Sequence, residues 1–335
     1  MIYIQNPIIV PKLDSVKIGE PLPIFGRTLG MNFKDLIYCN IAKQLIDKNN
    51  IVYPQWTNMV HYNDTKDLDI AKEIFDIPNY DINSPVISNT CWPSEGICEL
   101  ETNILFKDWC KKNICDADIS KICKNIIGYS HIIEDKKYLR NVFKNAISFI
   151  NIKQKIKDKA NEYISNEIGT NYISIGIRTT SYMKILSSAS NTNEQEYYEK
   201  MLQNYSQILK EKTKEYSINS IFVTSESSDT IQDFIDVYND NNINFYYNKN
   251  EYKRKKDYKY KKYTQDETID YYYDLVKEAL ILGNAKCHMS TISHFQFFSS
   301  VITDSNWYIL NNNTFIGNEW QNLIKTNKLI DKQVF

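Results

Sequence analysis

Residues 171–178 read NYISIGIR, and this stretch decides the fold. Ile173, Ile175 and Ile177 recur every second position, the period of a β-strand. Arg178 closes the run. Downstream, the pattern alternates. A polar helix is expected over 191–212, a buried strand at 221–223, a helix over 229–239 and a strand over 243–247. A basic loop follows. Ile269, Tyr272, Tyr273, Val276, Ala279 and Leu280 then recur at helical spacing within 267–282. A short strand at 287–289, a helix over 291–302 and a last strand at 307–310 complete the series. Strands alternating with helices predict an α/β chain with a doubly wound parallel sheet.

Upstream, one similar unit is legible. Phe33, Leu36, Ile37, Ile41 and Leu45 form an apolar stripe on a helix over 33–48, followed by a strand at 51–53. Residues 55–135 are irregular, with helical patches near 66–76 and 99–112. A long amphipathic helix over 137–166 is expected to join the halves. The 335 residues suit roughly two domains at about 150 residues each. The boundary is placed near 150, giving domains of 1–150 and 151–335.

Forty basic and 41 acidic residues leave a net charge of −1, which argues against a dedicated nucleic-acid binder. Of the basic residues, 36 are Lys and four are Arg: Arg27, Arg140, Arg178 and Arg254. Abundant Lys, Asn, Ile and Tyr fit A/T-rich codon usage, so the scarce Arg residues are the informative ones. Only Arg offers a planar fork to a phosphate or carboxylate. The seven Cys show no CxxC spacing, so a closed zinc site is not expected. The start, MIYIQNPIIVPKLDS, has no signal-peptide pattern, and no apolar run of about 18 residues occurs. The expectation is a soluble, cytoplasmic protein with no membrane span.

Four stretches carry candidate sites. Arg178 ends a strand, where ligands of open α/β sheets bind, and Thr179, Thr180 and Ser181 add hydroxyls that could help clamp a diphosphate. A surface ion pair is the plainer reading of the same Arg. Ser290-Thr291-Ile292-Ser293-His294 leads from a strand into a helix, whose N-terminus attracts phosphate; capping by Ser290 or Thr291 is the plainer reading. His294 faces either a ligand or a packed helix surface. Gly26-Arg27-Thr28-Leu29-Gly30-Met31-Asn32 precedes the first helix, with Asn32 as a cap or a donor to a substrate oxygen. It is neither a dinucleotide fingerprint nor a P-loop, and it also fits an ordinary turn. Lys253 to Lys262 is basic with interleaved Tyr, suiting an anionic partner or a solvated loop. Asp67-Leu68-Asp69 and Asp116-Ala117-Asp118 match DxD, but neither follows an apolar strand.

The order of these features resembles the GDP-fucose-dependent fucosyltransferases of the GT-B fold. GRTLGMNFKDLIYCNIAKQLIDKNNIVYPQW (26–56) looks like their G-R-x-G-N-Q opening, helix and P-x-W. ISIGIR (173–178) looks like H-x-R-x-x-D. SIFVTSESSDTIQDF (220–234) is similar to a strand ending in T-D-x. DLVKEALILGNAKCHMSTISHF (274–295) resembles their D-L-x-x-L block with its S-S/T-x-S-x-F ending, and VITDSNWYIL (301–310) the strand that follows. Departures are visible. Gly176 stands where the family has His, and Ser181 and Ser225 stand where it has Asp, with Glu226 beside the latter.

The resemblance implies two Rossmann-like domains facing an interdomain cleft, the first on the acceptor side and the second holding the nucleotide-sugar. It implies an inverting, metal-independent transfer of fucose, or a related sugar, from a GDP-sugar to a glycan or protein hydroxyl. Arg178 would neutralise the diphosphate. Ser290, Thr291 and Ser293, with His294 near, would hold the β-phosphate. Ser225 and Glu226 would lie toward the base. Arg27, Gly30 and Asn32 would serve the reacting sugar, and Asp35 or Glu95 could act as base. No cofactor, metal or nucleic-acid partner is implied. The alternatives are a degenerate nucleotide- or sugar-binding relative and, motivated by 253–262, a protein of anionic surfaces or nucleic acid.

Overall fold

In the computed structural model the chain divides into two units, Met1–Ile156 with Tyr258–Tyr273, and Lys157–Asp257 with Asp274–Phe335. Residues 1–5, 28–57, 68–81, 83–87, 143–179, 193–257, 263–290, 293–303 and 307–310 are described.

In the first unit, strand β1 (Ile2–Gln5) lies in parallel between β2 (Ile51–Pro54) and β4 (Val86–Ile87), while β3 (Phe75–Asp76) pairs antiparallel with β5 (Asn151–Ile152). Helix α1 (Leu29–Ile46) buries Phe33, Leu36, Ile37 and Ile41 of the expected stripe. It also buries Asn40, which satisfies the edge of β2. Its Nδ2 donates to Val52 O, and Val52 N donates to its Oδ1, both at 2.9 Å. An amide that replaces a missing ladder partner explains a polar residue in this core. Helix α1 starts earlier than its apolar stripe indicates. Asn32 therefore lies inside the first turns, its N–H donating to Thr28 O at 3.1 Å, and is not the cap that its position suggested.

The long helix expected over 137–166 is instead broken. Residues 143–146 are helical, β5 interrupts, and α3 (Gln154–Tyr163) follows a short helix α2 (Ile70–Ile74) in chain order. The physical reason is competition for the backbone. Ile152 pairs with Phe75, and Lys153 N donates to Ile74 O at 2.9 Å, so these groups serve a sheet instead of a helix. A π-helical turn, Ile164–Ile168, then ends at Gly169, whose φ of 82° suits a residue without Cβ.

The second unit carries the predicted parallel sheet. Its strands are β6 (Ile173–Ile177), β7 (Ser220–Ser225), β8 (Asn244–Tyr246), β9 (Cys287–Ser290) and β10 (Trp307–Ile309), in the order β10-β9-β6-β7-β8. Helices α4 (Glu194–Tyr216) and α5 (Ser228–Tyr238) connect the first strands. Ile173, Ile175 and Ile177 pack into one buried cluster with Leu202, Leu209, Ile231 and Phe234 of these helices and with Val223 and Met289 of the flanking strands.

The opposite face of β6 is small, Ser174 and Gly176, and this lets helices approach closely. Ser174 Oγ donates to Leu282 O at 2.7 Å in α7 (Gln265–Gly283), which follows α6 (Lys249–Asp257). Gly283 in turn meets the cap of α8 (His294–Ile302): a Cβ there would lie 2.0 Å from Thr303 Oγ1.

Helix α6 corrects the expected basic loop, which is helical through Asp257. Glu251 in its first turn complements the helix dipole, and buried Tyr252 anchors it. The remaining basic positions, 258–262, lie outside the described residues. Helix α4 is capped by Asn193, whose side chain accepts from Glu196 N at 2.8 Å. Asn193→Ala is expected to cost about 1 kcal/mol in urea unfolding, with fold and m-value unchanged. No helix among the described residues is long and apolar enough to cross a membrane.

Candidate functional site

The strand order places a topological switch between β6 and β9. From β6 the chain first moves outward through β7 and β8, then returns to the other side of β6 for β9 and β10. In open α/β sheets such a switch point, beyond the carboxyl ends of the two strands, is where ligands bind. Arg178 follows β6 and Ser290 ends β9, on either side of this point. The register Gly176↔Ser290 sets them close along the sheet.

Arg178 is joined to Glu226, which follows the adjacent strand β7 in the register Ile177↔Ser225. Arg178 Nε and Glu226 Oε1 are 2.9 Å apart, with side chains 27% and 34% exposed. An ion pair this open contributes little to stability, about 0–1 kcal/mol. Its consequence is orientation, since holding Nε fixes the plane of the guanidinium. Buried Thr179, next in the chain, shares a 3.2 Å hydrogen bond with Thr230 of α5.

Ser225 rests on a network that no sequence pattern revealed. Its N–H donates to Tyr252 Oη at 2.6 Å. Tyr252 Oη donates to Thr224 Oγ1 at 3.0 Å, and the Thr224 hydroxyl donates to Glu278 Oε1 through a short hydrogen bond. Each hydroxyl thus accepts once and donates once. Burial, with the nearby charges of Glu278 and Glu251, pushes the Tyr252 hydroxyl well above its usual range, so it stays a donor. Glu251 and Glu278 are fully buried.

On the β9 side, Ser290 is fully buried and its Oγ accepts from Trp307 Nε1 at 2.7 Å. Ser293 caps α8, its Oγ accepting from Gln296 N at 3.2 Å. His288 is buried between these elements, its ring stacked on Trp307 at 6.1 Å and its Nε2 2.7 Å from Gln296 Oε1. Thr291 and the side chain of His294 lie outside the described residues.

Burial lowers the His288 pKa to about 4, against the raising influence of its bond to Gln296. The folded value lies below the unfolded one, so the unfolded chain binds the proton more readily. The stabilisation is present above about pH 6.5 and is lost as pH falls toward 4, about 3 kcal/mol across that window. Unfolding midpoints measured from pH 7 to 4 are expected to fall less steeply in His288→Asn than in the parent.

Gly30 and Asn32 belong to the first unit and are described there. Both sit in the first turns of α1, and Asn32 is fully buried. Its carbonyl accepts from Gln5 Nε2 at 3.3 Å, and Gln5 Oε1 accepts from Trp56 Nε1 at 3.1 Å. The Trp of the P-x-W stretch is thereby tied to the end of β1. Asp35 lies 3.6 Å from Lys34, both side chains buried. Asp69 of the first DxD stretch caps α2, accepting from Ala71 N at 3.0 Å and Trp56 N at 2.9 Å. Arg27 and Glu95, like Thr180 and Ser181, lie outside the described residues. Among the described residues no group of three His, Cys, Asp or Glu could hold a metal ion.

Several solved structures are similar to this chain. NodZ α-1,6-fucosyltransferase soaked with GDP-fucose is 11% identical and covers 92% of this chain and 93% of its own, with a TM-score of 0.47. Fucosyltransferase NodZ from Bradyrhizobium is 10% identical over 94% of this chain and 97% of its own, with a TM-score of 0.45. POFUT1 in complex with GDP is 12% identical over 90% of this chain and 94% of its own, with a TM-score of 0.41. No protein-family model matches the chain, and no curated protein matches it.

Proposed function

We propose that this chain is an inverting, metal-independent GT-B-like glycosyltransferase. It moves fucose, or a related sugar, from a GDP-sugar to a hydroxyl of a glycan or protein acceptor. The reading is supported by the order of the motif-like stretches 26–56, 173–178, 220–234, 274–295 and 301–310 along the chain. The observation that carries it is the switch point between β6 and β9, with Arg178 following the first strand and α8 following the second.

In this reading the acceptor oxygen forms a bond to the anomeric carbon. The bond from that carbon to the β-phosphate oxygen breaks, and its electron pair leaves on GDP. The acceptor proton passes to a carboxylate, with Asp35 and Glu95 as candidates, or to solvent. Negative charge builds on the diphosphate as it departs. A cationic fork and helix-terminal donors already aimed there stabilise that charge without reorganising, at about 3 kcal/mol per well-placed group. Arg178 is the cation. The turn from Ser290 through Thr291 to Ser293, with His294, holds the β-phosphate at the N-terminus of α8. Ser225 and Glu226 lie toward the base, and Arg27, Gly30 and Asn32 serve the sugar. In this reading a domain of residues 1–150 takes the acceptor and a domain of 151–335 the donor.

A second reading has its own support. Gly176, Ser181 and Ser225 replace the His and two Asp of the resembled motifs, as in a relative that binds a nucleotide or sugar without transferring it. Incubation with GDP-fucose on glycan and peptide arrays separates the two. The transferase releases GDP and labels an acceptor; binding with neither hydrolysis nor labelling supports the degenerate relative.

A further inference from the structure

Ser293-His294-Phe295-Gln296 matches Ser-x-x-Gln, the pattern of a reciprocal capping box, with the Gln side chain reaching back to the cap's own N–H. Only half of it forms here. Ser293 Oγ accepts from Gln296 N, but the Gln296 side chain turns to the sheet and meets His288. It lies flat on β6. A Cβ at Gly176 would stand 2.1 Å from Gln296 Nε2, 2.7 Å from its Cδ and 3.1 Å from its Oε1. Any side chain at 176 would displace the carboxamide, so the Gly and the Gln depend on each other.

The orientation of the amide follows from His288. The ring is fully buried and neutral near pH 7, so one nitrogen carries the proton. Nδ1 has no hydrogen-bond partner. A buried N–H without an acceptor costs more than a bare lone pair. The proton therefore sits on Nε2 and is donated to Gln296 Oε1. That leaves Gln296 Nε2 over Gly176, and among the described residues nothing accepts from it. Gly176 lies two residues before Arg178, the spacing of one strand face, and opposite Ser290 at the switch point.

We propose that Gln296 is a donor-binding residue whose Nε2–H donates to a β-phosphate oxygen of the diphosphate held by Arg178, with His288 as its positioning residue. This rests on the nucleotide-sugar reading above. The amide takes over the space, and a donor's position, at the point where the resembled motif carries a His.

The test is calorimetry on the full chain with GDP and GMP, which differ by the β-phosphate. Gln296→Met keeps the shape but removes the donor. It is expected to lower the ratio of GDP to GMP affinity about tenfold, the worth of one hydrogen bond to a charged group. Gln296→Glu is expected to lower it further through repulsion, and Gly176→Ala, which displaces the amide, to match Gln296→Met. Thermal unfolding of each variant checks the fold, and these independent substitutions cover the failure of any one. A ratio unchanged in Gln296→Met, or equal losses for GDP and GMP, would overturn the assignment while leaving the nucleotide reading intact. A parent chain that binds neither ligand overturns both.

Discussion

Arg178→Ala is expected to weaken GDP binding about 100-fold while leaving the thermal midpoint nearly unchanged. The two effects separate because the Arg178–Glu226 pair is partly exposed and worth at most about 1 kcal/mol to the fold. Contacts to an anionic diphosphate are different: two charge-assisted hydrogen bonds from one guanidinium are together worth about 3 kcal/mol. Arg178→Lys keeps the charge and loses the fork, so it is expected to recover part of the affinity, ending about tenfold below the parent. Equal affinity in the parent and in Arg178→Ala would remove Arg178 from the site. A matching fall in stability would make it a structural ion pair.

Trp307→Ala is expected to cost about 3–5 kcal/mol, the range for an emptied aromatic site in a core. Trp307 is fully buried on the edge strand β10, where its ring stacks on His288 and its Nε1–H satisfies Ser290 Oγ. Trp307→Phe retains most of the ring contact and loses the donor, leaving a buried hydroxyl with one partner fewer. Its expected cost is about 1–3 kcal/mol. Denaturant unfolding of the two variants reads the packing and hydrogen-bond contributions apart. Similar costs for both would place the whole effect in the hydrogen bond. Because His288 orients Gln296, the Ala variant is also expected to lower the GDP to GMP affinity ratio.

The parallel sheet was legible because its central strands are apolar and its helices periodic. NYISIGIR alternates, and the apolar run 221–223 stands out inside what is the longer strand Ser220–Ser225. The strands that were missed are short: Ile2–Gln5 spans four residues, and Phe75–Asp76 (at the end of the helical patch expected near 66–76), Val86–Ile87 and Asn151–Ile152 two each, too few to set up a period. The helix expected across 137–166 failed for a related reason, because periodicity reports what a segment prefers alone and not the partner strand that claims its backbone.

At the site, Arg178 was legible as a scarce residue at a strand end. Tyr252, Glu278 and His288 were not. Each lies in an element whose sequence reads as ordinary helix or strand, and their relation to Thr224, Ser225 and Gln296 exists only across the sheet. Gln296 did leave a trace, the Ser-x-x-Gln spacing after β9. That spacing speaks for a cap, and the diversion of its side chain follows only from the space above Gly176.

The most direct test of the central claim is a calorimetric titration of the full chain with GDP and with UDP. The account predicts saturable binding of GDP at one site per chain, tighter than UDP. Titrations that show no saturable heat with either nucleotide would contradict it.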